Sequence, residues 1–250
     1  MTKESTLLKA GERIDELPAV GIKIIQSDQV FAFSLDAVIL SHFVRSNHRH
    51  QLKIVDLCAG NGAVGLFLHE KLGGHFTEVE IQPRLADMAQ RSITLNGLDD
   101  RYRVVTDDLA NVYQEVPKDS ADVVVCNPPY FTNLPQSEKN PNPYLAVARH
   151  EIKTNLSTVV NRMSGLLKMN GHGYLVHRPS RLAEILEKLA AARLVAKRLQ
   201  FIHPRMGRDA NMVVIEAIKD GKPGGLKVNA PLIVHQGQGY SPAVKEMLYG

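Results

Sequence analysis

Asn127-Pro128-Pro129-Tyr130 is the stretch whose residue types and spacing most directly imply chemistry. The Pro128 ring disfavours a helical residue before it and so holds Asn127 extended. Neither proline carries an N–H, so the backbone there offers carbonyl oxygens alone. The Asn127 amide oxygen and the Pro128 carbonyl can together accept both hydrogens of a planar –NH2 group. Such a nitrogen is a poor nucleophile because its lone pair is delocalised. Holding both hydrogens turns the lone pair toward an electrophile and stabilises the positive charge that develops on nitrogen. No base is required before attack, since the proton can leave afterwards. Tyr130 offers a ring to stack on the planar group. In isolation the same tetrapeptide also reads as a turn closing a strand, so its position relative to other motifs decides.

A second chemical signal lies upstream. Gly60-Asn61-Gly62-Ala63-Val64-Gly65 places Gly-x-Gly-x-x-Gly after the apolar run 53–57 and before a helical pattern. Glycines permit a tight turn and close backbone approach, and free N–H groups at a helix start attract an anion. The pattern alone fits NAD, FAD or S-adenosylmethionine. Asp56, four residues before Gly60, would repel a pyrophosphate but favour the ammonium of a methionine moiety. Glu80 follows about 20 residues later, where an acid can accept bonds from both ribose hydroxyls. Asp107 and Asp108 end the next apolar run, near where an adenine ring would lie.

These residues need a scaffold, and the pattern supplies one. From residue 52, strand and helix signals alternate, as in βαβ units and a mostly parallel sheet. Strands are expected at 53–57, 76–81, 102–106, 121–126, 173–177, 194–201 and 212–218, with helices at 63–71, 83–96, 155–168 and 180–191. No helix separates the last two strands, so they should pair antiparallel. A strand at 231–235 and a short helix after Pro242 finish the chain. The run 121–126 is almost wholly apolar, as expected of a central strand covered on both faces. Upstream, 18–33 reads as two short strands, and a helix follows from Leu35 with Ser34 as its N-cap. The expected organisation is a hairpin-plus-helix extension over 1–50 and one α/β domain over 51–250.

Composition limits the alternatives. The chain has 250 residues, 44% of them hydrophobic, enough for one sizeable core. No run approaches the ~18 apolar residues of a membrane span. The N-terminus lacks the apolar centre of a secretory signal, so a cytoplasmic protein is expected. Two cysteines, Cys58 and Cys126, indicate no disulfide framework, and no metal-ligand spacing occurs. The net charge of +4 is compatible with a polyanionic partner.

Taken in order, Asp56, Gly60, Gly62, Glu80 and Asp107 resemble the cofactor motifs of class I S-adenosylmethionine-dependent methyltransferases, over about residues 52–218. The resemblance implies a Rossmann-like α/β fold with a mostly parallel seven-stranded sheet and an antiparallel last strand. It also implies S-adenosylmethionine as cofactor, S-adenosylhomocysteine as product, and Asp107 on the adenine amine. Asn127-Pro128-Pro129-Tyr130 in this register is similar to the signature of amino-methyltransferases acting on adenine N6, cytosine N4 or a release-factor glutamine. The whole chain resembles the small bacterial methyltransferases of adenosine N6 in tRNA, notably the family acting just 3′ of the anticodon of a valine tRNA. Further matches are Phe33-Ser34-Leu35-Asp36-Ala37-Val38-Ile39-Leu40, Ala148-Arg149-His150-Glu151 and His203-Pro204-Arg205. By this resemblance, Phe33 and its neighbours cover the methionine end of the cofactor, and the partner is an RNA, with no membrane or metal. A looped-out base suits such a site. The 131–148 loop, with Phe131, Lys139 and Tyr144, is placed to cover it. Arg45, Arg49, Arg178, Arg205 and Arg208 are the phosphate-contact candidates. Glutamine N5 methylation and a non-catalytic cofactor- or RNA-binding protein stay open, and a nicotinamide enzyme is the remaining rival.

Overall fold

The computed structural model describes residues 6–30, 33–131 and 142–250. Strands β1 (Glu12–Leu17) and β2 (Ile22–Ser27) form an antiparallel hairpin around a 3-10 turn at Pro18–Val20. The hairpin begins earlier than the expected 18–33. Its first strand is hidden in the sequence because Leu17 is its one buried residue, while Arg13, Asp15 and Glu16 lie toward the surface. Part of the second expected strand, Phe31, lies outside the described residues.

Helix α1 (Leu35–Phe43) follows, with Ser34 in an extended conformation at its N-cap. The cap differs from expectation: the Ala37 amide bonds to the Ser34 carbonyl, and the Ser34 hydroxyl is buried without a partner. Then come β3 (Lys53–Leu57), α2 (Ala63–Phe67), β4 (His75–Glu80), α3 (Pro83–Leu95), β5 (Tyr102–Thr106) and β6 (Ala121–Cys126). After α4 (Pro143–Arg149) and α5 (Leu156–Leu166) come β7 (Leu167–His177), α6 (Leu182–Ala191), β8 (Leu194–Arg205) and β9 (Met212–Lys219). The short strands β10 (Lys227–Val228), β11 (Leu232–Gln236) and β12 (Gly239–Tyr240) precede α7 (Pro242–Tyr249).

The main sheet runs β12-β11-β8-β9-β7-β6-β3-β4-β5, with β10 against β8. Strands β5, β4, β3, β6 and β7 are mutually parallel, and β9 is antiparallel to both β7 and β8. That is the expected seven-stranded arrangement, widened at one edge by β10 to β12. Alternation explains the layers. In β3 and β6, Ile54, Val123 and Val125 face α1 and α2, whereas Val55, Leu57 and Val124 face Val159, Val160 and Met163 of α5 and Ile185 of α6. Each such aliphatic side chain contributes about 1.5–3 kcal/mol through burial.

Chain order places the site. From β3 the chain moves outward through β4 and β5, then returns to β6 on the other side of β3. Connections leaving β3 and β6 diverge, which opens a crevice at their carboxyl ends. The N-terminal hairpin is fastened to α3: Ser92 and Asn96 bond to the backbone of Ile25 and Lys23, and Arg91 donates to Glu12 at 2.6 Å. It also holds the glycine loop, because the Asn61 amide donates to the Ile25 carbonyl at 3.1 Å. No described helix is long and apolar enough to cross a membrane.

Candidate functional site

The glycine loop leaves β3 through three left-handed residues, Cys58, Gly60 and Gly62, at φ 59°, 60° and 84°. A side chain at Gly62 would meet the Glu78 carboxylate at 2.6 Å, so this position excludes a Cβ twice over. Glu80, at the end of β4, lines the crevice. Its two oxygens accept the Gly60 amide at 2.9 Å and the Gln82 amide at 2.8 Å, with the Ile81 amide as a further donor, which fixes the carboxylate. Burial raises its pKa, and these backbone donors oppose the rise. Asp107 accepts the Asp108 amide and the Asn111 side chain, both on Oδ1. Asp108 caps the following 3-10 turn through the Ala110 amide.

Asp56 departs from expectation. It is fully buried behind the loop, where its Oδ2 accepts the Gly65 amide at 3.0 Å, and it is not part of the crevice wall. The parallel register sets it beside Glu78, which is equally buried. Burial pushes the Asp56 pKa up to about 8, and burial together with Asp56 pushes Glu78 well above the usual range. Burial behind the loop and the raised pKa both disfavour the ionised form that a counter-ion to an ammonium requires. Alternation is the reason: Asp56 precedes the strand end by one residue and faces the helices instead of the edge.

Asn127 and Pro129 line the same crevice, whereas Pro128 and Tyr130 are not in its wall. The Tyr130 hydroxyl lies 2.6 Å from Asn127 Oδ1 and 2.7 Å from Asp36 Oδ2 on the first turn of α1. Burial and the neighbouring Asp36 hold the Tyr130 pKa well above its usual value, so it stays protonated. The ring is flanked by His177 at 5.3 Å and by the Arg178 guanidinium at 5.4 Å. His177 is buried, with its pKa taken down to about 4 by burial and by Arg181; its Nδ1 accepts the Arg178 amide, so Nε2 carries the proton. Phe131, 45% exposed, is the open aromatic beside the tetrapeptide.

The chain departs at Phe131 and returns at Glu151, whose amide donates to the Phe131 carbonyl at 2.8 Å. Lys139 of the expected cover lies outside the described residues. Helix α4 was not foreseen, although Asn142-Pro143 is a cap signature: Asn142 accepts the Tyr144 amide. Val147 and Ala148 of α4 form part of the crevice wall, and Tyr144 packs under Arg84. His150 packs against Phe131 at 5.6 Å. Glu151 accepts Arg181 at 2.8 Å, which anchors the returning segment. Of the phosphate candidates, Arg178, Arg205 and Arg208 lie at or beyond the carboxyl ends of β7 and β8, on the side of the crevice. Arg45 and Arg49 lie past the far end of α1, and Arg45 is paired with buried Glu216.

The crevice is open to solvent on one side, and the space within and at its mouth, open solvent included, is about 870 Å3. Phe33 forms part of its wall and packs edge-on against Phe67 at 5.1 Å. The Ser34 and Thr154 hydroxyls at its surface are buried without a protein partner, which suits a polar ligand. Glycines at the loop, a fixed acid at β4, a second acid after β5 and these two hydroxyls fit an adenosyl cofactor with an amino-acid tail. Lys153, Thr154 and Arg181 are the residues that motif reasoning passed over as contributors, while Asp36, expected in the segment covering the methionine end, instead accepts from the Tyr130 hydroxyl. None belongs to a glycine or proline signature, and only the fold brings them to this edge.

A family described as methyltransferase small domain matches residues 23–196. The chain is similar to the tRNA1(Val) (adenine(37)-N6)-methyltransferase of a Shewanella species, 27% identical over 184 residues, covering 73% of this chain and 75% of that protein. The protein of the same description from Shewanella loihica is 29% identical over 144 residues, 56% of this chain and 58% of its own. Among solved structures, a predicted O-methyltransferase from Agrobacterium tumefaciens is 27% identical with a TM-score of 0.66, covering 85% of this chain and 94% of that one. The geranyl diphosphate C-methyltransferase of Streptomyces coelicolor A3(2), solved with S-adenosyl-L-homocysteine, shares the fold at 15% identity and a TM-score of 0.55, over 74% and 77% of the two chains.

Proposed function

The chain belongs to the methyltransferase small domain family and uses S-adenosylmethionine, and from that premise we propose that it methylates the exocyclic N6 amine of an adenine in RNA, a tRNA near its anticodon. The observation that carries this reading is Asn127 and Pro129 lining one crevice with Gly60, Glu80 and Asp107. The cofactor supplies an electrophilic methyl group on a sulfonium. Phe33 would close its methionine end, Gly60 and Gly62 would admit it to the loop, Glu80 would hold its ribose and Asp107 its adenine amine. The Asn127 amide and the Pro128 carbonyl hold the two hydrogens of the substrate amine and aim its lone pair at the methyl carbon. Pro129 keeps the backbone free of competing donors. Tyr130 anchors Asn127, and Phe131 gives the incoming base an exposed ring to stack on. The proton leaves the nitrogen after transfer.

The printed activity of the Shewanella relatives supports adenine over glutamine, as does the basic edge formed by Arg178, Arg205 and Arg208. Purified protein and methyl-labelled cofactor, offered bulk tRNA or a release factor, provide the test. Label is expected in tRNA. Asn127→Ala should lower that rate at least ~100-fold, the scale of one oriented transition-state contact, with cofactor affinity retained. Label appearing in the release factor alone would replace the adenine reading with the glutamine one.

A further inference from the structure

The Tyr130 hydroxyl has two oxygen neighbours at hydrogen-bond distance, Asp36 Oδ2 at 2.7 Å and Asn127 Oδ1 at 2.6 Å, but a phenol has one proton to give. A carboxylate only accepts, so the bond to Asp36 must be supplied by Tyr130. That leaves the second contact without a donor unless the amide provides it. A primary amide has the same shape either way round, and its polarity follows from its partners. We propose that Asp36 is a positioning residue that fixes the polarity of the catalytic amide: Asn127 donates Nδ2–H to the Tyr130 oxygen, and Tyr130 donates to Asp36.

The consequence falls on the substrate side. With Nδ2 bound to Tyr130, Oδ1 points the other way, into the crevice that Asn127 lines. An –NH2 group needs an acceptor there. Without Asp36, the Tyr130 proton is free to turn toward Asn127, and the amide then presents its own NH2 to the incoming amine. Two donors would face each other, and the lone pair would lose its orientation. Helix α1 delivers Asp36 from the N-terminal extension, so the extension sets the reacting group as well as covering the cofactor. The inference rests on the amine-methylation reading and deepens it. An acid in the first turn also favours the helix dipole, a structural role that the test must separate.

Asp36→Asn, Tyr130→Phe and their double variant make that separation. Each single change is expected to lower kcat for tRNA by about 10- to 100-fold, with the calorimetric Kd for S-adenosylmethionine within about two-fold. If Asp36 acts through the Tyr130 hydroxyl, Asp36→Asn costs nothing more once Tyr130 is Phe, and the double variant matches Tyr130→Phe. Losses that multiply would overturn the proposal. Neutron diffraction of the deuterium-exchanged protein with cofactor bound gives a readout that needs no substrate. Deuterons are expected on Asn127 Nδ2 facing Tyr130 and on Tyr130 Oη facing Asp36. A Tyr130 deuteron directed at Asn127 would overturn the proposal. The expected deuterons in a protein that leaves every tRNA unmethylated would sink the substrate reading and leave this one standing.

Discussion

Replacing Asp56 with Asn is the sharpest test of how the cofactor loop is supported. The side chain is fully buried, and Asn keeps an oxygen to accept the Gly65 amide. What changes is the ability to ionise. Burial raises Asp56 from 3.8 to about 8, so near neutral pH the folded chain keeps a proton that the unfolded chain releases. A raised folded pKa means stability that is fully present below the unfolded value and lost as pH climbs toward the folded one. Near pH 7 the difference amounts to roughly 4 kcal/mol, at 1.36 kcal/mol per pH unit above the unfolded pKa. Asp56→Asn escapes that loss. Melting curves from pH 4 to pH 8 should therefore show little gain at the acid end and a gain on the order of 10 °C near neutrality, at ~2–4 °C per kcal/mol. Glu78 beside it keeps its own pH dependence. Cofactor affinity should stay within about three-fold, under 1 kcal/mol, because Asp56 is behind the loop. A melting gap that ignores pH would refute the burial argument. A ~100-fold loss of affinity in a folded protein would return Asp56 to the ammonium role that the sequence had implied.

The other expectations concern the loop, the core and the RNA edge. Gly62→Ala should destabilise by about 2–5 kcal/mol in urea titrations, combining left-handed strain with overlap on Glu78, whereas Gly60→Ala, with nothing within 4 Å of its Cβ position, should cost only about 1–2 kcal/mol. Burial raises the Glu216 pKa, but His172 and Arg198 outweigh it and take it down to about 2. A depressed folded pKa gives stability that is present above 4.5 and lost as pH falls toward 2, so Glu216→Gln should flatten the acid limb of a circular dichroism titration. The same change should cost about 3 kcal/mol at neutral pH, because it leaves Arg198 with an unpaired charge. Removing Arg205 and Arg208 together should reduce the salt dependence of tRNA binding by roughly 0.7 per lost phosphate contact, while Arg49→Ala leaves it unchanged.

Most of the scaffold was legible because its signals are local. The apolar runs at 102–106 and 121–126 coincide with β5 and β6. The glycine loop, Glu80, Asp107 and the Asn127 tetrapeptide announced themselves by spacing. What stayed hidden depends on directions that spacing does not encode. Asp56 looked like a cofactor contact because it precedes the glycines, yet strand alternation turns it inward against Glu78. The motif marks Tyr130 for its ring alone, and its partner Asp36, more than 90 residues upstream, holds the hydroxyl that the motif says nothing about. Ser34 looked like a cap, yet the backbone carbonyl takes that part and the hydroxyl is left for the crevice. The 12–17 strand was masked by charges on its outer face, with a single buried residue to mark it.

The proposed reaction is methylation of adenine N6 in tRNA. It is tested most directly by mass spectrometry of nucleosides from individual tRNAs of a strain lacking this gene, beside its parent. N6-methyladenosine should disappear from a position next to the anticodon in one tRNA or a few, and return with the intact gene but not with Asn127→Ala. An unchanged nucleoside profile, together with loss of methylglutamine from a release factor, would contradict it.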